Sequence, residues 1–418
     1  MDVKQGYKQT EVGVIPEDWE VTTVADQFSI QLGKMLDSEK NIGVLKPYLG
    51  NRAVQWGRIE INDISYIKLS ASDLKRYRIE KGDLLVCEGG EIGRAAIWNE
   101  LIEECYYQKA LHRLRPISDY NVRFMLSVLE WLASSGLLEH FVTQTSIAHL
   151  PKERFEIVPI PLPPKAEQEA IAEALNDADA FIESLEQLIA KKRQMKQGAM
   201  QELLTGKKRL PGFSESWKSF RLGDHLIFLA NGVNSRAELT VNDSVRYLHY
   251  GDIHGSESPR MSPANLPTLP TEKAKSLSRL CNGDLVFADA SEDVIGVGKS
   301  VEIVDADNFE LVSGLHTIVV RFDKSVLADG FKAYLQFCPD FSKQLRQLAA
   351  GTKVYATNRR HIADMEMDLP SVVEQATIVS VLSDMDAEID MLESKLVKAR
   401  WIKQGMMHNL LTGKIRLV

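Results

Sequence analysis

The chain has 418 residues, of which 26% are charged and 44% belong to the hydrophobic set. At roughly 100–200 residues per domain that length suggests two to four domains, and the composition excludes a mainly disordered chain. Lys and Arg number 50 against 58 Asp and Glu, a formal net charge of −8, so the total does not indicate a strongly basic nucleic-acid binder, although a total says little about any one face. No apolar run approaches the ~18 residues of a membrane helix. The opening stretch Met1–Tyr7 lacks the apolar segment of a secretory signal. Cys87, Cys105, Cys281 and Cys338 are far apart, with no Cys-x-x-Cys pair. That argues against a zinc ribbon or a disulfide framework and fits a reducing, cytoplasmic setting.

Residues 16–150 carry short β-type runs with turn punctuation, such as Leu84-Leu85-Val86-Cys87 after Lys81-Gly82-Asp83. A helix-like stretch from Val122 to Leu138 closes the region. Pro163-Pro164 then precedes a long apolar pattern through Ile171, Leu175, Ala178, Ile182, Leu185, Ile189, Lys192, Lys196, Ala199 and Leu203. Its spacing alternates four and three, which is a coiled-coil seam. Residues 211–356 return to short strands, with Leu285-Val286-Phe287 and Thr317–Phe322 as examples and a helix-like stretch from Gly330 to Leu348. A second seam follows through Ile378, Leu382, Met385, Ile389, Leu392, Leu396, Ala399, Lys403, Met406 and Leu410. Gly198 and Gly405 lie inside these patterns and can weaken a helix.

The chain repeats itself. Residues 162–210 and 369–417 share 25 of 49 positions without a gap. A weaker echo links Gly82-Asp83-Leu84 to Gly283-Asp284-Leu285 and Trp19 to Trp217. A period of half the chain means a duplication, not a solenoid. The fold class expected is α+β: two similar globular domains, 1–150 and 211–356, separated by two long helical segments, 151–210 and 357–418, that pair as an antiparallel coiled coil.

Catalytic motifs are poor throughout. Asp293-Val294-Ile295-Gly296-Val297-Gly298-Lys299-Ser300 ends like a phosphate-binding loop, but Asp293 stands where a glycine is needed. A glycine turn between strands explains it and its first-half counterpart around Gly93. No histidine, cysteine and carboxylate set makes a metal site, and Glu393-Ser394-Lys395, on a helix, reads as a solvated face. Basic clusters say more. Phe341 to Ala363 contains no Asp or Glu but includes Lys343, Arg346, Lys353, Arg359 and Arg360, with Tyr355 between them. Such a cluster suits phosphates or guanine edges.

The opening Gly6–Trp19, the run Pro161-Leu162-Pro163-Pro164, and the segment from Glu167-Gln168 to Leu203-Leu204-Thr205-Gly206-Lys207 with its second copy together resemble the DNA-specificity subunits of type I restriction–modification systems. The resemblance covers nearly the whole chain. It implies two target-recognition domains that each read one half of a split, asymmetric site, with circular pseudo-two-fold symmetry. It also implies that the helices, through Ile171, Leu175, Ile182, Leu185, Ile189, Ile378, Leu382, Ile389, Leu392 and Leu396, form the spacer and dock two modification (methyltransferase) subunits. Restriction subunits that use ATP are further partners. S-adenosylmethionine, ATP and Mg are expected on those partners, and no cofactor, metal or catalysis in this chain. By analogy of loop position, the DNA contacts fall on Lys34, Asn51 and Arg52 in the first domain, and on Asn234, Ser235, Arg236, His249, Lys353, Tyr355, Arg359 and Arg360 in the second. A non-reading scaffold, a silent specificity subunit and a fused nuclease are the alternatives.

Overall fold

The apolar run Leu84–Cys87 is a strand, and all four of its side chains are buried. The computed structural model describes residues 5–37, 39, 41–62, 64–144, 148–291, 296, 298–348 and 355–417. It divides into two units, one made of Met1–Glu186 with Ser394–Val418 and the other of Gln187–Glu393. Each long helix therefore gives one half to each unit.

In the first unit, β1 (Phe28–Leu32), β3 (Leu84–Cys87), β4 (Ala95–Ile97) and β5 (Leu111–Pro116) form an antiparallel sheet in the order β4-β3-β5-β1. Strand β2 (Val44–Leu49) lies in a smaller sheet, antiparallel to Ser65–Leu69 and parallel to Tyr106–Tyr107. Helix α1 (Val122–Ser134) is capped by the Asn121 side chain, which accepts from the amides of Arg123 and Phe124. It buries Phe124, Met125, Val128 and Leu132 in one core with Leu84, Val86 and Leu114. The chain then enters α2 (Lys165–Leu203).

The second unit repeats the plan. Strands β6 (Leu226–Leu229), β8 (Leu285–Ala288), β9 (Ser300–Ile303) and β11 (Thr317–Phe322) lie in the order β6-β11-β8-β9, with Arg260–Met261 added at the edge. Strand β7 (Val245–Leu248) is antiparallel to Thr268–Leu269 and parallel to β10 (Glu310–Ser313). The expected helix from Gly330 to Leu348 is instead a 3-10 helix, Lys332–Phe337, followed by α3 (Pro339–Leu348). Pro339 has no N–H to give and pushes Cys338 into an extended conformation (φ −70°, ψ 124°), which breaks the run. Helix α4 (Val372–Leu411) ends the plan.

The same devices hold both units. Gly82 and Gly283 turn with φ +90° and +89°. The aspartate after each is buried and takes a bidentate arginine at 2.7 Å, Arg115 on Asp83 and Arg321 on Asp284. Pairing of that kind makes a buried carboxylate tolerable. Gly93 and Gly298 turn between strands with φ +81° and +76°, and a Cβ there would strike Leu138 at 2.5 Å or Leu345 at 1.8 Å. Gly298 thus serves packing. Asp293, Val294, Ile295 and Val297 of that motif lie outside the described residues.

Every position of the two seams is buried or half-buried, and both helices run through Gly198 and Gly405 without a break. Within the first unit, Asp179 pairs with Lys403 at 2.6 Å and Glu186 with Arg400 at 2.6 Å. Within the second, Lys192 pairs with Glu388 at 2.6 Å, and Lys196 with Asp386. Residue numbers fall on one helix as they rise on the other, so the segments are antiparallel in each unit. The seam lysines are therefore matched by carboxylates. Three pairs recur at the repeat shift: Lys196–Asp386 as Lys403–Asp179, Arg193–Glu393 as Arg400–Glu186, and Arg209–Glu374 as Arg416–Glu167. Glu167 and Glu374 are almost fully buried, and each meets its arginine through two short hydrogen bonds.

His112 of β5 is buried, donates from Nε2 to the Leu150 carbonyl at 2.8 Å, and leaves Nδ1 without a partner. Burial pushes its pKa down to about 4 from 6.5. Between those values the unfolded chain binds a proton that the folded chain does not. Stability is therefore full above about 6.5 and falls as pH drops toward 4, by on the order of 3 kcal/mol. Melting curves from pH 7 to pH 4.5 should show a steeper loss for the parent than for His112→Gln; parallel curves would contradict this.

Candidate nucleic-acid interface

In the second unit three residues, Gly314, Leu315 and His316, join β10 to β11. A Cβ on Gly314 would lie 2.2 Å from the Tyr247 ring, so only glycine fits. The Tyr247 hydroxyl accepts the Leu315 amide at 3.2 Å and donates to the Asn234 carbonyl at 2.8 Å. Four backbone bonds pin the surrounding loops: Gly314 N–H to Leu248 O, Gly232 N–H to Ser313 O, Asp289 N–H to His316 O and Thr357 N–H to Asp289 O.

The first unit has the same four. There Gln108 N–H meets Leu49 O, Lys34 N–H meets Tyr107 O, Glu88 N–H meets Ala110 O and Leu150 N–H meets Glu88 O. One frame thus presents different side chains: Gln108, Lys109 and Ala110 in one unit stand where Gly314, Leu315 and His316 stand in the other.

The frame gathers many of the residues singled out from sequence. Asn51 and Arg52 open a 3-10 turn soon after β2; Arg52 is exposed, and the Asn51 carbonyl accepts from Arg94 at 2.9 Å. Lys34 lies beside Tyr107 but is paired with Asp73 at 3.0 Å. His249 follows β7 at the place of Gly50, directly before Asn51. It is buried, and its Nδ1 caps the short helix Tyr250–Gly255 by accepting the Gly251 amide at 3.2 Å. Burial, and then the Arg236 charge, lower its pKa.

Asn234, Ser235 and Arg236 form a capped turn. Asn234 donates to Glu238 at 3.0 Å, Ser235 makes a reciprocal cap with the same residue, and Arg236 pairs with Asp252 at 2.5 Å. Lys273, then Asn234, hold the Glu238 carboxyl below its usual range. Arg359 is exposed, yet it donates to Leu229 O at 3.0 Å and Asn231 Oδ1 at 3.3 Å, and Asn231 in turn donates to Gly314 O. Arg360 is largely exposed beside Asp364 at 3.3 Å. Tyr355 begins a two-residue strand paired with Ala290–Ser291, and Lys353 lies outside the described residues.

Reading the sequence passed over His316, Tyr250, Asp289 and Asn231. The available signal was the glycine two residues before His316 at the head of a strong strand. The ring of His316 stands edge-on to Tyr250 at 5.5 Å and 87°, and its Nδ1 lies 3.2 Å from Asp289. Among the described residues no group of three or more His, Cys, Asp or Glu side chains could hold a metal ion.

The family described as "Type I restriction modification DNA specificity domain" matches residues 16–191. The type I restriction enzyme MjaVIII specificity subunit of Methanocaldococcus jannaschii is 25% identical over 99% of this chain and 97% of its own length. The EcoKI specificity subunit of Escherichia coli is 22% identical over 93% of this chain and 86% of its own. Over nearly its whole length the chain is similar to specificity subunits of type I restriction–modification systems. The crystallised S subunit from M. genitalium has the same fold, with a TM-score of 0.55 at 14% identity, covering 98% of each chain. A chain from a structural study of type I complex assembly gives 0.61 at 14% identity, over 96% of this chain and 99% of that one. The family match stops within α2, but the shared backbone frame carries the second unit on the same plan.

Proposed function

We infer that the chain is the DNA-reading subunit of a type I restriction–modification complex, and that each unit reads one half of a bipartite site through the loops of the shared frame. One observation carries this: two units built on matching turns, strand pairings and recurring ion pairs present different side chains at equivalent positions. Phosphate contacts set position and base-edge contacts set sequence, so a common scaffold with divergent loops makes the two halves differ. In this reading the paired helices form the pseudo-two-fold scaffold that docks two modification subunits, and restriction subunits join the complex. S-adenosylmethionine, ATP and Mg belong to those partners, the chain itself performs no catalysis, and the assembly works in the cytoplasm. No helix among the described residues is long and apolar enough to cross a membrane.

The overall charge of −8 fits if basic groups gather on the reading loops while acidic ones face partners and solvent. Methylation mapping of DNA from cells that carry this chain with its modification subunit tests the reading. The expected result is one asymmetric, interrupted motif. Sequence-independent binding and no methylated motif would overturn it in favour of a silent scaffold.

A further inference from the structure

Among the described residues, three that are not glycine have a left-handed backbone: Glu100, Asp305 and His316. Glu100 and Asp305 stand just after the equivalent strands β4 and β9, one in each unit, so they belong to one shared turn. His316 is different. Its counterpart by hydrogen bonding is Ala110, which is not left-handed. The second unit therefore departs from the common backbone at a position on its reading loops, and strain of that kind gathers at functional sites. Tyr247 and the Asp289 amide fix the main chain there, while the His316 side chain is half exposed, at 51%.

We propose that His316 reads the exocyclic amino group of an adenine or a cytosine in the second half-site, with Asp289 as the positioning residue that sets its tautomer. The proposal rests on the DNA-reading function above. A carboxylate only accepts, so the proton of the neutral imidazole lies on Nδ1, facing Asp289 Oδ1 at 3.2 Å. Nε2 is left as an acceptor and has no protein partner among the described residues. In the major groove, adenine N6 and cytosine N4 are donors, whereas guanine O6 and N7 and thymine O4 are acceptors. An acceptor held in place therefore favours the first pair. Tyr250 supports the ring edge-on from beside it. Ala110 offers no such group, so the discrimination belongs to one half of the site alone.

The test uses the full chain assembled with its modification subunits and a panel of duplexes varied one base pair at a time across both half-sites. His316→Gly suits the left-handed backbone and removes the ring. Preference at one position of one half-site should collapse from about 5- to 150-fold to near one, with the other half-site read as before; that untouched half also reports correct folding. Asp289→Asn can donate as well as accept, so it frees the tautomer and should let a keto base be accepted at the same position. Full retention of preference in His316→Gly overturns the proposal, as does an equal loss of binding to all sequences, which would make the residue a backbone support. Unchanged preference in Asp289→Asn, beside a collapse in His316→Gly, overturns the tautomer assignment. A parent complex without base preference anywhere would instead defeat the DNA-reading function itself.

Discussion

Replacing Leu382 with Asp is expected to destabilise the second unit by more than about 4 kcal/mol. Leu382 is fully buried in α4, in one core with Leu203, Leu204, Phe341 and Leu345. Truncating such a leucine alone costs about 2–5 kcal/mol, and a buried carboxylate without a partner adds to that. Leu175, its repeat counterpart in α2, is as deeply buried in the first unit, so Leu175→Asp should be equally severe there. Ile389→Asp should follow, and Ile182→Asp should cost least, because Ile389 is buried and Ile182 only half-buried. The fluorophores separate the units: Trp19, Trp56, Trp98, Trp131 and Trp401 fall in the first and Trp217 in the second. Far-UV circular dichroism of Leu382→Asp should lose part of its amplitude at a transition well below that of the parent, on the order of 10 °C lower. A Leu382→Asp chain that melts like the parent would show that the seam is wrongly placed.

The helices were legible because their signal is periodic and long. A four-three alternation kept over ten positions places Ile171 and Leu410 as surely as Leu185, and a repeat of 25 identities in 49 shows one segment in two places. Two of the three lysines that interrupt the seams follow the repeat, since Lys196 and Lys403 stand at equivalent positions and each finds an aspartate across the pair. The strands were legible where they were continuous apolar runs. The parallel pairing of β7 with β10 was not, because a non-local pairing leaves no local pattern; the break at Pro339 had a local signal in the proline itself, which the apolar pattern around it masked. The loops of the shared frame were the least legible. Lys34 and Arg236 look like free cations in a sequence, but each is matched by a carboxylate distant in the chain, Asp73 and Asp252. His249 looks like a surface histidine and is a buried cap. His316 carries no motif, because what marks it is a backbone angle and three neighbours drawn from separate strands and loops.

Exchanging the second recognition region for that of a relative is expected to change one half of the methylated sequence and leave the other half intact. The structure says where to cut. Strand Lys218–Arg221 pairs with Glu366–Leu369, Leu222 N–H meets Met365 O, and Arg359 binds Leu229 O and Asn231. A junction at residue 356 would separate partners on both sides of these contacts, whereas junctions at 218 and 369 carry them over together. The ion pair Arg209–Glu374 then stays with the retained scaffold, as does everything in the first unit. Each base-edge contact is worth about 1–3 kcal/mol of discrimination, so a handful of exchanged side chains suffices to respecify a half-site without touching the helices. Single substitutions outside the exchange should behave differently. Arg52→Ala, on an exposed turn of the first unit, should act only on the other half: relaxed preference at one position if Arg52 reads a base, or weaker binding to every sequence with a salt slope reduced by about one if it holds a phosphate. Methylation mapping after the exchange decides the larger claim. Two halves that change together would mean that the units do not read independently, and the shared frame would then be a scaffold for one composite surface.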